Sequence, residues 1–124
     1  MEKHPIYPQR IRKVPRQFSW IDQRLVRERY IDRCNHCSAA LYLFLVTVAD
    51  AQGMSYYGDR SVCQRLAMDQ ERLEKARQEL VRLGLIAWQR PLYQVLALGD
   101  VPRQRSEGSL QSFAQILRGI GGAS

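Results

Sequence analysis

Ser61-Val62-Cys63-Gln64-Arg65-Leu66-Ala67-Met68-Asp69-Gln70-Glu71-Arg72-Leu73 is the stretch that decides the fold. Val62, Cys63 and Leu66 recur at helical spacing, as do Leu73, Ala76, Leu80 and Leu83. This predicts two amphipathic helices over 59–67 and 70–83. The break at Ala67-Met68-Asp69 is too short for a flexible loop, so the helices must meet at a tight corner. Asp69 supplies the cap of the second helix, because its carboxylate can accept an amide left free in the first turn. Gly84 suits the end of that helix. Beyond it, 85–89 and 92–98 read as two strands around Arg90-Pro91, which makes a hairpin.

Upstream, 35–51 is the strongest helical segment. Ala40, Leu41, Phe44, Leu45 and Val48 form one face, and Tyr42, Leu43 and Val46 widen it, so burial on most sides is expected. Gly53 is expected to stop this helix in the left-handed conformation, and Met54-Ser55-Tyr56-Tyr57 reads as a short strand. A first helix over 19–30 follows from Ser19 as cap, Asp22 in the first turn, and Ile21, Leu25 and Val26 at helical spacing. Residues 1–18 hold Pro5, Pro8 and Pro15 with five basic residues, which disfavours helix and leaves an extended basic arm. At the other end, 99–108 reads as a polar linker. Residues 109–124 form an amphipathic segment, with Leu110, Phe113, Ala114 and Leu117 at i, i+3, i+4 and i+7. The fold class that follows is α+β, mostly α, with the folded domain over 19–98.

A length of 124 residues is that of one domain, and 45% hydrophobic against 25% charged residues is an ordinary globular balance. The longest apolar run, 39–49, is too short to span a membrane. The first residues lack the apolar stretch of a secretory signal, so a cytoplasmic protein is the expectation. The net charge of +7 favours polyanions as partners, nucleic acid first. It is unevenly spread: nine basic against four acidic residues over 1–33, seven against seven over 34–101, three against one over 102–124.

The corner segment, with Ala76, Leu80 and Gly84-Leu85-Ile86 after it, resembles the winged helix-turn-helix family of bacterial DNA-binding domains. Val62, Cys63 and Leu66 fall where that family packs its first helix, Met68 at its apolar turn position and Asp69 at its capping position. Ala67 stands where the family usually has Gly, which is tolerated if Ala67 keeps ordinary helical or bridge dihedrals. The run from Ala40 to Asp50, with Gly53 and Tyr56-Tyr57, is similar to the winged helices of plasmid replication-initiation, primosome and mobile-element proteins.

The resemblance implies double-stranded DNA as partner, bound by a regulator or a replication or mobile-element accessory protein. Gln70, Glu71, Arg72, Lys75 and Arg77 would contact groove and phosphates from the second helix, since Arg and Lys can read guanine and Gln adenine. Arg90 at the hairpin tip and Arg60 and Arg65 on the preceding helix would reach the backbone. Arg10, Arg12, Lys13 and Arg16 of the arm would lie in a minor groove or along phosphates. Against this stands a plainer alternative. Asp69, Glu71, Glu74 and Glu79 balance Arg72, Lys75, Arg77 and Arg82, and a neutral helix of this kind also suits an adaptor that binds protein rather than DNA.

Cys34-Asn35-His36-Cys37, with Cys63, invites a zinc or redox reading. Structural zinc usually takes two closely spaced ligand pairs, however, and only one is present. Reduced, partly buried cysteines are the plain reading, with Cys37 expected to be acidified at a helix start and Cys63 in the core. No cofactor is called for. No Gly-rich phosphate loop or Gly-x-Ser-x-Gly is present, and His4 and His36 are the only imidazoles, so catalysis is not expected. The segment 109–124 is the candidate element for a homodimer.

Overall fold

The computed structural model describes residues 2–99. The expected linker beyond Gly99, the amphipathic segment 109–124 and its role in a dimer lie outside the described residues. The elements, in order, are α1 (Arg24–Arg27), α2 (His36–Val48), β1 (Met54–Tyr56), α3 (Asp59–Leu66), α4 (Gln70–Arg82), β2 (Ile86–Gln89) and β3 (Leu92–Val95). Two single turns of 3-10 helix lie at Pro8–Arg10 and Ile31–Arg33. The protein is α+β, mostly helical, with one antiparallel sheet in the order β1-β3-β2. The hairpin turns at Arg90-Pro91 in register Gln89↔Leu92, and β1 adds to the far edge of β3 with Ser55 opposite Tyr93.

The core lies where α2 crosses α4 and both cover the sheet. Leu41 and Leu45 from α2, Val62 from α3, Leu73 and Leu80 from α4, Leu85, Ile86 and Tyr93 are all sealed from solvent. Helix α2 is less enclosed than its composition suggests, because Leu43 faces outward at 56% exposure. Asn35 starts α2, its Oδ1 accepting the Ser38 amide at 2.8 Å. Among the described residues no helix is long and apolar enough to cross a membrane.

Three expectations need correction. The helix expected over 19–30 is only Arg24–Arg27. Ser19 does not cap it: its Oγ donates to the Thr47 carbonyl at 3.0 Å, which ties the segment to α2 in extended form. The Asp22 carboxylate accepts the Arg24 amide at 2.8 Å and takes over the start signal. Arg29, at φ 65, then turns the chain away. Gly53 does not end α2, which stops at Val48. Gly53 lies in the following loop at φ 86, its carbonyl accepting from Val95 N at 2.8 Å, and a Cβ there would sit 2.7 Å from the Val95 carbonyl oxygen. Ala67 does not keep helical dihedrals: at φ 52, ψ 48 it is left-handed and closes α3 with a bond to the Cys63 carbonyl.

Candidate functional site

The corner of α3 and α4 is built from the chain outward. Met68 is buried as its plug, and the Asp69 side chain accepts the Arg72 amide at 2.8 Å, starting α4 where the sequence places it. Gly84, at φ 77, donates to the Val81 carbonyl while Leu85 donates to Leu80, so α4 ends as expected and delivers the chain into β2.

A charged clamp locks this corner to the sheet. The Arg77 guanidinium donates to Asp59 Oδ1 at 2.9 Å, to Asp59 Oδ2 at 3.4 Å and to the Tyr93 hydroxyl at 2.8 Å. It lies 3.7 Å from the centre of the Trp88 ring. Asp59 opens α3, Arg77 belongs to α4, Trp88 to β2 and Tyr93 to β3, so one side chain ties four elements together. The hydrogen bond from Arg77 holds the Asp59 carboxyl below its usual range. Burial works to lower the Arg77 pKa, and its bonds to Asp59 and Tyr93 outweigh that effect, leaving a net rise. Arg77 is only 4% exposed, so its expected place among the DNA contacts is corrected: its Nη1 and Nη2 atoms are engaged by Asp59 and Tyr93 and its guanidinium lies over Trp88.

The other expected residues divide into two groups. The Gln70 amide donates to Asp59 Oδ2 at 2.6 Å and to Glu74 Oε2 at 3.1 Å, and Lys75 pairs with Glu71 at 3.3 Å. Arg60, Arg65 and Arg72 are exposed and enter no ion pair among the described residues. Arg90 is exposed at the hairpin tip, its guanidinium 5.6 Å from the Trp88 ring centre. Arg10, Arg12, Lys13 and Arg16 are exposed along the extended arm.

Between α4 and the hairpin runs an open groove of about 470 Å³, lined by Glu74, Arg77, Gln78, Val81 and Arg82 on one side and Trp88 and Arg90 on the other. Sequence reasoning missed Gln78, Val81 and Trp88 as members of a shared surface. The available signal was their spacing: Glu74, Gln78, Val81 and Arg82 recur every three or four residues along one helix flank.

Glu79, one of the acidic residues in the charge balance of α4, accepts from the Asn35 amide at 3.1 Å and from Ser38 Oγ, binding the start of α2 to α4. The Ser38 hydroxyl and then the Asn35 amide hold its carboxyl below the usual range. No group of three or more His, Cys, Asp or Glu that could hold a metal gathers among the described residues. Cys37 and Cys63 pack half-buried against the core. Burial, with Glu79 nearby, raises the pKa of the Cys34 thiol, which donates to the Tyr30 carbonyl. Comparison with family models, curated proteins and solved structures gives no match.

Proposed function

We propose that the chain is a winged helix-turn-helix protein that binds double-stranded DNA, with α4 as the recognition helix and the β2–β3 hairpin as the wing. The observation that carries this reading is the exposed guanidinium of Arg72, without an ion-pair partner among the described residues, in the first turn of a capped helix. That helix belongs to an α3–α4 corner held rigid by the Asp59–Arg77–Tyr93 clamp. A rigid corner that leaves Arg72 exposed in the first turn of its second helix is what insertion into a major groove requires. The element order and the β1-β3-β2 sheet support it, as do Arg60, Arg65 and Arg90 on the neighbouring surface. The arm, through Arg10, Arg12, Lys13 and Arg16, adds attraction to phosphates without reading sequence. A regulator, or an accessory protein of a replicating or mobile element, is the role this chemistry suits.

The second reading, an adaptor that takes a protein partner on the same flank of α4, draws on Val81, 45% exposed beside Trp88, and on the internally paired Lys75 and Gln70. Selection of bound sequences from a random duplex pool separates the two. The DNA reading expects enrichment of a common motif that Arg72→Ala abolishes. Recovery of the pool unchanged would overturn it.

A further inference from the structure

A second groove, of about 560 Å³, lies on another part of the molecule, between the root of the arm, the C-terminal half of α2 and the chain that follows β3. Phe18 and Trp20 form one wall, Val46 and Ala49 the other, and Val95 and Leu98 close the end. Its size is within the range of about 300–1,000 Å³ typical of sites that enclose a compact apolar occupant. Phe18 and Trp20 are 61% and 73% exposed, although the Ser19 bond to Thr47 pins the segment between them against α2. Two large aromatic side chains held in place and left uncovered at one rim mark a surface built to be covered. Tyr42, 6% exposed, also lines the groove. The charged side chains on the lining are Asp50 and Asp22, and Asp22 is neutralised by Arg24 at 2.7 Å, so the lining suits an apolar occupant with Asp50 as its acidic group.

We propose that this groove is the docking site of residues 109–118 of the same chain. The described chain ends on the groove itself: Leu96, Ala97 and Leu98 line it and Gly99 follows. The ten residues 100–109 can reach up to about 33 Å when extended, at about 3.3 Å each, which is ample for a return. Leu110, Phe113, Ala114 and Leu117 give one apolar stripe at helical spacing. Arg118 is the single charged residue of 109–124 and is opposite in sign to Asp50 on the lining. Docking would seat Phe18 and Trp20 and fix the direction in which the basic arm leaves the domain. No α4 residue takes part, so this inference stands or falls independently of DNA recognition.

The test is nuclear magnetic resonance on the full-length chain, with isotope-filtered spectra on a mixture of labelled and unlabelled protein. Cross-peaks from the Phe113 ring to the Val46 and Val95 methyl groups are expected within one chain, unchanged on tenfold dilution. They are lost in Phe113→Asp, and the Trp20 indole N–H resonance moves with that loss. Leu117→Asp, on the same stripe, is expected to do the same. Cross-peaks found only between differently labelled chains, the mark of a second copy in the groove, overturn the proposal. The absence of any Phe113 cross-peak to the groove also overturns it.

Discussion

At the scale of the residue, two side chains behave against type. Arg77 carries a charge on a helix whose other charges, Glu79 apart, face water, and it is buried because Asp59, Tyr93 and Trp88 converge on it. Breaking a buried pair by removing one partner costs about 3–5 kcal/mol, and Asp59 keeps partial access to solvent. Arg77→Ala is therefore expected to lower unfolding stability by about 3 kcal/mol in urea denaturation, and a loss under about 1 kcal/mol would contradict the clamp. Ala67 sits in left-handed conformation, which costs an L residue about 1–2 kcal/mol, while glycine costs about 0.4–1 kcal/mol through the unfolded chain. Ala67→Gly is accordingly expected to raise the unfolding free energy by about 0.5–1 kcal/mol, read as a higher denaturation midpoint with an unchanged slope. A lower midpoint would show that Ala67 is not strained. Neither residue's state was legible in the sequence. The partners of Arg77 lie 18 and 16 positions away, and a small residue at position 67 fits a corner whichever dihedrals it takes.

At the scale of the element, the local signals were the legible ones. Asp69 starts α4 and Gly84 ends it, and the hairpin turns at Arg90-Pro91, because caps and turns act within a few residues. The first helix is shorter than its apolar spacing suggests because Ser19 is engaged elsewhere, 28 residues along the chain. The junction of α2 and α4 is invisible in the sequence for the same reason: Glu79 reaches back 44 and 41 positions to Asn35 and Ser38. That junction has a pH signature. The folded pKa of Glu79 lies below that of the unfolded chain, near 4.3, so its contribution is complete above that value and is lost as pH falls through the lower folded pKa. Unfolding free energy measured from about pH 5 down to about pH 2.5 is expected to fall more steeply for the native chain than for Glu79→Gln. Superimposable acid limbs would remove Glu79 as a contributor.

At the scale of the whole molecule, charge and shape belong to different parts of the chain. The segment 34–101 is balanced, while 1–33 carries nine basic residues against four acidic, so the DNA-binding proposal assigns attraction to nucleic acid mainly to the arm and discrimination to the corner. Replacing Arg10, Arg12, Lys13 and Arg16 with Ala is expected to weaken binding to every duplex alike and to lower the salt slope by up to about 4, at about 0.9 for each phosphate that the arm no longer neutralises. Weakening confined to one sequence would reassign the arm to base reading. Recognition by α4 makes the opposite demand, and one measurement reaches it directly: the affinity of the full chain for duplex DNA between about 50 and 200 mM salt, for the native protein and for the double variant Arg72→Ala, Lys75→Ala. The predicted result is an affinity that falls linearly on logarithmic axes, with the double variant binding more weakly and its slope smaller by about 1–2. Unchanged affinity and slope in the double variant would contradict a recognition role for α4.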